Sequence, residues 1–283
     1  MNVLGHNELK QDFQTQGFMV LERAIAPQQV AILRAAIFRL VQAIDVDREC
    51  GVFRTSHENR DMDERFFASA REVRGFLEDG VLDSNSKLQA PRDACLNKLG
   101  HALHDLVPEI EEFARSREVV DAFRAVGLQK AHLVQSMAIF KQPRIGGAVP
   151  WHQDATYLLT RPSSVVGLWL ALEDADRDNG CLWVAPGAQR SPLREVYEVD
   201  WGTRTATTRT LDSTPWPTEV ESVSLEVPAG SLVLFHDHLP HCSYANRSDR
   251  SRLAITFHCY DSRSKWLSNN WLQRGDLPNF ELQ

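Results

Sequence analysis

The segment His152-Gln153-Asp154 places an imidazole and a carboxylate two residues apart. On an extended strand such side chains point to the same side of the backbone, because side chains alternate with a period of two. Two imidazoles and one carboxylate on one face of a metal leave three adjacent positions open, an arrangement typical of non-haem Fe(II) oxygenases. The triplet therefore predicts two ligands of an iron site. The same pattern at His6 and Glu8 lies near the start of the chain, where we do not expect an ordered site.

The third ligand must come from a distant part of the chain, and the downstream candidates are His236, His238, His241 and His258. Spacing alone leaves this choice open. An Fe(II) oxygenase also needs two electrons beyond those of its substrate, and 2-oxoglutarate is the usual soluble source. The far carboxylate of that molecule pairs best with the bidentate guanidinium of an arginine. Arg252 follows His241 by eleven residues and begins an apolar strand, so a hairpin can bring the two together.

Two longer motifs surround these residues, WHQD at 151–154 and HCSYANRSDRSR at 241–252. Both resemble motifs of the phytanoyl-CoA dioxygenase family. Further segments resemble its narrower branch, the phytanoyl-CoA dioxygenase domain-containing protein 1 group, and they lie at 96–104, 133–143, 167–174 and 179–187. The resemblance spans most of the chain, from about residue 8 to about residue 275. It implies a double-stranded β-helix fold and the use of Fe(II), 2-oxoglutarate and O2.

Site residues follow from this resemblance position by position. The positions that match the metal ligands are His152, Asp154 and His241. The positions that match contacts to 2-oxoglutarate are Lys98, Met137, Trp169, Ser243 and Arg252. A lysine would add a cation for a dianionic co-substrate, and apolar walls would strengthen the charge pairing by excluding water. Gln135 shares a strand face with Met137, from which its amide could reach the carboxylate on the metal side.

Some of these residues also have ordinary structural explanations. Met137 and Trp169 would be buried in either interpretation, and a lysine such as Lys98 is usually on the surface. His101 and His104 stand at helical i,i+3 spacing, and we interpret them as helix residues because no third ligand is near. The histidines at 236, 238 and 258 are expected to be structural if His241 is the ligand.

The elements that must position this site form a helical first part and a β-rich remainder. Residues Phe18 to Leu21 predict a strand, and apolar residues at helical spacing after Pro27 predict a long helix. Residues 100–126 also have a helical pattern, interrupted at Pro108. From about residue 131, short β-rich runs alternate with turns of Gly, Pro, Asn and Asp, which is typical of an all-β sandwich or barrel.

We therefore expect one domain over residues 1–283 with an all-β core of the jelly-roll, cupin-like type flanked by N-terminal helices. Its parts would be a mainly helical support at 1–128, the β-helix core at 129–265 and a C-terminal extension at 266–283. Residues 200–220 contain seven threonines and two prolines and predict a long loop. Loops of this length often close over a binding site.

Composition limits the remaining possibilities. The chain has 283 residues, a formal net charge of -7 and a pI of about 5.8, which argues against a general nucleic-acid binder. The five cysteines are widely spaced and form no C-x-x-C pair, so a reducing compartment is expected. No targeting signal and no run of 18 apolar residues is recognisable. These features predict a cytoplasmic protein that binds neither nucleic acid nor membrane, and they leave its oligomeric state open.

The leading hypothesis is a dioxygenase that hydroxylates an unactivated C–H bond of a small-molecule metabolite and releases succinate and CO2. Halogenases of this class lack the carboxylate ligand, so Asp154 favours hydroxylation, or a related desaturation or cyclisation. The alternatives are an acyl-CoA hydroxylase of the phytanoyl-CoA type, a cupin-like metalloenzyme independent of 2-oxoglutarate, and a non-catalytic β-barrel that only binds. A small polar or amphipathic substrate is preferred, because no basic run indicates a CoA site. Residues 50–75, 155–163 and 200–220 are the expected selectivity segments.

Overall fold

The computed structural model describes residues 6–44, 51–52, 64–83 and 87–283. Its helices are α1 (His6–Gln16), α2 (Pro27–Ala43), α3 (Glu64–Ala68), α4 (Leu103–Leu106), α5 (Pro108–Ala114) and α6 (Arg117–Ala125). Short 3-10 helices lie at Arg92–Cys95, Asp154–Thr156, Ala188–Arg190 and Glu219–Glu221. The first nine strands are β1 (Phe18–Leu21), β2 (Gly51–Val52), β3 (Val73–Leu77), β4 (Leu96–His101), β5 (Ala131–Lys141), β6 (Val149–His152), β7 (Thr160–Arg161), β8 (Val166–Ala171) and β9 (Leu182–Val184). The others are β10 (Glu195–Asp200), β11 (Thr205–Thr210), β12 (Val223–Leu225), β13 (Leu232–His236), β14 (His241–Ser243), β15 (Arg252–Asp261), β16 (Lys265–Trp266) and β17 (Phe280–Leu282).

Two sheets make up most of the β core. The larger has nine strands in the order β1-β13-β8-β15-β5-β4-β3-β2, with β17 also paired to β5. The smaller has four strands in the order β12-β9-β14-β6. Neighbouring strands are antiparallel except for the parallel pair β2 and β3. Neither sheet closes on itself. The expected mostly-β core with accompanying helices is confirmed.

Strand β15 lies at the centre of the larger sheet, and its two faces have different neighbours. Leu253, Ile255 and Phe257 are fully buried in the main apolar cluster, together with residues of α2, α5 and α6. Burying each such side chain stabilises the fold by about 1.5–3 kcal/mol. The alternate residues, from Arg252 through Thr256 to His258, therefore face the other side of the sheet, because side chains alternate along a strand.

The predicted helix after Pro27 is confirmed as α2, with Val30, Leu33 and Ile37 buried on one side. The strand at 18–21 is confirmed as β1 and pairs with β13. Helix α1 ends before Gly17, whose φ of 83° favours glycine.

Two predictions about secondary structure are wrong in part. Residues 200–220 contain strand β11, which forms a hairpin with β10. Its residues are four threonines, one alanine and one arginine, mostly exposed and without apolar alternation, so the usual strand signal is missing. The helical pattern proposed for 100–126 begins at Leu103, because residues 96–101 form the buried strand β4. His101 consequently ends a strand, whereas His104 lies in α4.

Four cysteines carry free thiols: Cys95, Cys181, Cys242 and Cys259. Within the described ranges, no helix is both long enough and apolar enough to cross a membrane. The cytoplasmic location and the division into a single domain with three parts stay predictions from the sequence.

Candidate active site

Paired strands bring the two predicted imidazole ligands together. Strand β6 ends at His152 and β14 begins at His241, and these residues are direct partners in the antiparallel pair. Their ring centres are 4.1 Å apart with an interplanar angle of 52°. The pairing of two short strands in the smaller sheet therefore sets the distance between the two histidines, although 88 residues separate them in the sequence.

Hydrogen bonds orient both rings. His152 Nδ1 lies 2.9 Å from the carbonyl oxygen of Pro150, and His241 Nδ1 lies 3.0 Å from that of Leu239. A carbonyl oxygen only accepts, so each Nδ1 carries the proton and donates it, which leaves the lone pair on Nε2. Burial and the neighbouring His241 lower the pKa of His152 to about 4, so this ring is neutral at physiological pH. Neutral imidazoles with a fixed tautomer are the form that binds metals.

Asp154 completes the group from the first position of a 3-10 helix, just after β6. Its Oδ1 lies 3.8 Å from His152 Nε2 and 3.7 Å from His241 Nε2. The three ligand atoms all lie within 4.8 Å of one another. Burial opposes ionisation of the carboxyl, but the surrounding histidines, His258 first among them, hold the pKa of Asp154 well below its usual range. The set offers two nitrogens and one carboxylate oxygen, which suits Fe(II).

Arg252 begins β15 and is only 2% exposed. Within the described part of the chain, its Nε and Nη1 atoms have no hydrogen-bond partner. Burial lowers the pKa of Arg252 to about 10, so the guanidinium is still charged at neutral pH. Buried donors of a charged group that lack hydrogen bonds are costly to a folded protein, so the Nε and Nη1 atoms indicate a site for an anion.

One cavity of about 200 Å³ connects these groups. All nine residues that the sequence predicts for the site line it: Lys98, Gln135, Met137, His152, Asp154, Trp169, His241, Ser243 and Arg252. The larger sheet contributes a row of three neighbouring cavity residues. Thr256 on β15 pairs with Met137 on β5 and with Trp169 on β8. The structure therefore brings all nine side chains to one place, with two sheets supplying them.

Lys98 and Gln135 have specific neighbours in this cavity. Lys98 on β4 is buried, and its Nζ lies 5.2 Å from the centre of the Phe76 ring. Gln135 is the partner of His258 in the pairing of β5 and β15. Ser243, at the end of β14, is 3% exposed. Lys98, being buried, is therefore not an ordinary surface lysine.

Thr256 and His258 also line the cavity, although the sequence predicts only a structural role for His258 and gives no signal for Thr256. Thr256 Oγ1 and His258 Nδ1 are buried and lack a hydrogen-bond partner among the described residues, as does Asp154 Oδ2. A period of two counted onward from Arg252 would have placed both residues on the same strand face. Together with Nε and Nη1 of Arg252, these atoms form a group of polar atoms without hydrogen bonds in the cavity where ligands would bind.

An aromatic wall also escaped the sequence analysis. Phe66 stacks on Trp271 with ring centres 4.4 Å apart, and the rings of His101 and Trp271 are T-shaped to each other with centres 5.0 Å apart. All three line the cavity. Ser69 Oγ donates to the carbonyl oxygen of Phe66, so it accepts from Nδ1–H of His101 at 2.8 Å. Phe66 and Trp271 are 205 positions apart, and no local pattern relates them.

Comparison with known sequences gives matches along most of the chain. The model of a family described as Phytanoyl-CoA dioxygenase (PhyH) matches residues 13–254. The chain is 36% identical to a phytanoyl-CoA dioxygenase of Arabidopsis thaliana over 269 residues, which cover 94% of this chain and 93% of the relative. It is 38% identical to phytanoyl-CoA dioxygenase domain-containing protein 1 of Bos taurus over 271 residues, 93% of each protein.

Solved structures share the fold at low sequence identity. The non-heme alpha ketoglutarate dependent carbocyclase SnoK matches with a TM-score of 0.66 and 19% identity, over 98% of this chain and 96% of that one. The epimerase SnoN, solved in complex with Fe3+, alpha ketoglutarate and nogalamycin RO, matches with a TM-score of 0.64 and 16% identity, over 96% and 90%. The jelly-roll, cupin-like architecture expected from the sequence is confirmed by these matches.

Proposed function

The chain belongs to the phytanoyl-CoA dioxygenase family and is an oxygenase that uses iron, 2-oxoglutarate and O2; we propose that it hydroxylates a C–H bond of a small-molecule metabolite, with release of succinate and CO2. The observation that carries this proposal is that one cavity holds both the His152, Asp154 and His241 group and the buried guanidinium of Arg252. The Nε and Nη1 atoms of that guanidinium have no hydrogen-bond partner among the described residues. A non-catalytic β-barrel would be expected to lack at least one metal ligand or the arginine. His152, Asp154, His241 and Arg252 are all present.

His152, Asp154 and His241 are the proposed metal ligands. Their fit to Fe(II) rests on the chemistry of the donors, since both imidazoles have Nε2 lone pairs facing the carboxylate oxygen. Three protein ligands on one side leave room for other ligands on the opposite side. The metal supplies O2 activation when bound, and the side chains fix its position and its number of open sites.

Arg252 is the proposed partner of the far carboxylate of 2-oxoglutarate. A carboxylate would satisfy the Nε and Nη1 donors that lack hydrogen bonds in the described structure. Ser243 can donate a hydrogen bond, Lys98 adds a cation, and Met137 and Trp169 exclude water from the pair. Gln135 can donate to the carboxylate nearer the metal. The arrangement fits a dicarboxylate with a metal at one end and a guanidinium at the other.

The proposed outcome is hydroxylation because Asp154 would supply the third protein ligand of the metal. A halide would need the position that this carboxylate fills. The aromatic wall of Phe66, His101 and Trp271 lies on the same cavity and suits an organic substrate with a flat or apolar part. The expected selectivity segment 50–75 lies partly outside the described residues.

An acyl-CoA thioester is the second candidate substrate, and the name of the family favours it. A CoA group carries several phosphates, so its binding would require a cluster of cations near the cavity mouth. A small metabolite would require none. The two candidates therefore predict different responses in one screen, in which acyl-CoA thioesters and small polar or amphipathic metabolites are compared for their stimulation of succinate formation.

The central experiment is an anaerobic titration of the purified protein with Fe(II) and 2-oxoglutarate, followed by visible absorption. A metal-to-ligand charge-transfer band is expected, and His241→Ala should abolish it. Arg252→Ala should weaken 2-oxoglutarate binding by at least about 30-fold, because losing one partner of a buried charge pair costs about 2–5 kcal/mol. Arg250→Ala is the matched control, since Arg250 is exposed and pairs with Asp176.

No band in the wild-type protein would refute the proposal. An unchanged affinity for 2-oxoglutarate in Arg252→Ala would refute the role of that arginine, and turnover without 2-oxoglutarate would favour a cupin-like enzyme of another type. Succinate formation that no tested metabolite or thioester increases above the uncoupled rate would contradict the proposed substrate classes.

A further inference from the structure

The two oxygens of the Asp154 carboxylate have different surroundings. Oδ1 faces the ligand nitrogens of His152 and His241. Oδ2 points to the larger sheet, where Nε2 of His258 lies 3.2 Å away. The contact is not aligned as a hydrogen bond in the described structure. Contacts in sites without their ligands are often misaligned and tighten when the ligands bind.

The chemistry of the contact indicates which ring nitrogen of His258 carries the proton. A carboxylate oxygen only accepts, so an Nε2 lone pair at 3.2 Å would be repelled. The contact therefore favours a proton on Nε2, which can donate to Oδ2. The Nδ1 atom of His258 has no partner among the described residues, so nothing on its other side competes for the ring orientation.

We propose that His258 is a positioning residue that holds Oδ2 of Asp154 by an Nε2–H hydrogen bond, so that the carboxylate binds the metal through Oδ1 alone. This inference rests on the proposed function, because it concerns the proposed metal ligand. A carboxylate that used both oxygens would occupy one more metal position. Two positions are needed for 2-oxoglutarate and one for O2, so binding through one oxygen keeps the third open.

The fold makes His258 suited to this task. It sits on β15 between two paired strands, opposite Gln135 on β5 and Gly167 on β8. Its side chain is 5% exposed. The proposed metal ligands come from the smaller sheet and from the 3-10 helix after β6. Through His258, the larger sheet therefore contacts one of these ligands, Asp154. His258 lies on the same strand face as Arg252.

Three variants separate positioning from simple packing. His258→Gln keeps an N–H donor at about the reach of Nε2, whereas His258→Asn places its donor nearer the position of Nδ1. His258→Leu fills the space without a donor. His132→Leu, in the neighbouring strand β5 and outside the cavity lining, is the matched control. Metal-free proteins are titrated with Mn(II) and the free ion is followed by electron paramagnetic resonance, and thermal unfolding is measured for every variant.

His258→Leu and His258→Asn should bind Mn(II) about 10- to 100-fold more weakly than wild type, the usual cost of losing a hydrogen bond to a metal ligand. His258→Gln and His132→Leu should bind within about threefold of wild type, on the same scale. The Fe(II) and 2-oxoglutarate band should be shifted or reduced in His258→Leu and retained in His258→Gln. If His258→Leu fails to fold, the comparison of Gln with Asn still decides.

Wild-type affinity in folded His258→Leu or in His258→Asn would overturn the positioning role while leaving the metal site intact. Equal losses in Gln, Asn and Leu would also overturn it, since His258 would then act as a ligand itself. A wild-type protein that binds no Mn(II) and shows no band would refute both the proposed function and this inference. The two failures are therefore distinguishable.

Discussion

The guanidinium carbon of Arg252 lies 5.6 Å from the centre of the Trp169 ring. Both residues are buried, at 2% exposure each, and they sit on adjacent strands of the larger sheet. An arginine over a tryptophan face gains about 0.5–2 kcal/mol, with the upper values in sites that exclude water. The ring therefore helps to hold the guanidinium in the orientation in which it can pair with a carboxylate.

Replacing Trp169 should weaken 2-oxoglutarate binding without removing the metal. We expect Trp169→Leu to raise the dissociation constant by about 3- to 30-fold, and Trp169→Phe to raise it less because an aromatic face remains. Isothermal titration under anaerobic conditions, with metal present, measures both. Trp216→Leu is the control, because Trp216 forms a comparable pair with Arg194 at 4.7 Å but does not line the cavity. Equal affinity in Trp169→Leu and wild type would contradict the prediction.

A second prediction concerns Gly167 in β8. A Cβ atom added there would lie 2.4 Å from Cε2 of Phe235, closer than real contacts allow. The Phe235 ring is in turn 4.6 Å from the ring of His241. Overpacking of this kind costs about 1–3 kcal/mol, more than alanine gains over glycine in a strand. Gly167→Ala should therefore lower the free energy of unfolding and displace His241.

Urea unfolding and metal titration test the Gly167 prediction together. The double variant Gly167→Ala with Phe235→Leu should recover part of the stability and of the metal affinity, because the smaller side chain relieves the clash. A double-mutant cycle should therefore show coupling of about 0.5–3 kcal/mol. If the changes in the free energy of unfolding of the two single variants simply add in the double variant, positions 167 and 235 are not coupled by this contact.

Much of the proposed site could be predicted from the sequence because its signals are local. His152 and Asp154 stand close together in the chain, and the motif from His241 to Arg252 is continuous. The structure brings these residues to one cavity, as the sequence predicts. Strand β15 is also visible from its apolar run, because it is buried on both faces.

The rest of the site depends on contacts between distant segments. His258 reaches Asp154 across two sheets, and Phe66 reaches Trp271 from the opposite end of the chain. The sequence predicts a helix at His101 because β4 runs directly into the following helices along the chain. The sequence gives no signal for strand β11, because exposed strands carry no hydrophobic alternation. These contacts and strands depend on which strands pair and how the sheets pack. A short stretch of sequence carries neither kind of information.

Gln153, between the two metal-ligand positions, supports the third prediction. It is fully buried, and its Nε2 donates to the carbonyl oxygens of His238 at 2.9 Å and Pro192 at 3.2 Å. Its Oε1 accepts from the backbone N–H of Arg194 at 3.0 Å. The side chain thus ties the ligand segment to two other loops. Gln153→Met should lower the free energy of unfolding by about 1–3 kcal/mol, because the buried N–H of Arg194 and two partly buried carbonyl oxygens lose a hydrogen-bond partner.

A change of charge at the same position sharpens this test. Gln153→Glu replaces the donor with a carboxylate that faces two carbonyl oxygens, so it should be less stable than Gln153→Met at neutral pH. Acidification should narrow that difference as the introduced carboxyl gains a proton and becomes a donor again. Gln129→Met is the control, since Gln129 is exposed and bonds only to the carbonyl of Arg124 among the described residues. A free energy of unfolding of Gln153→Met equal to that of wild type would show that these hydrogen bonds of Gln153 do not stabilise the fold.

Lys141 predicts a dependence of stability on pH. It is 2% exposed, is the strand partner of Arg252, and donates from Nζ to the carbonyl oxygen of Gly147. Burial, and then the charge of Arg252, lower its pKa from 10.5 to about 7. Below about pH 7 the lysine is protonated in both the folded and the unfolded chain. Between about pH 7 and 10.5 the unfolded chain binds more protons, so this group makes the folded state more stable as the pH rises.

The contribution of Lys141 is measured against Lys141→Met by urea unfolding at a series of pH values. The quantity of interest is the free energy of unfolding of wild type minus that of the variant. Above pH 7 this difference should rise by up to about 1.4 kcal/mol per pH unit, and below pH 7 it should be constant. Other groups that titrate in this range cancel in the difference. Lys130→Met, at an exposed position, should run parallel to wild type throughout. A difference between wild type and Lys141→Met that stays flat from pH 6 to 10 would show that Lys141 keeps its proton in the folded protein, because only a lowered pKa in the folded state produces the slope.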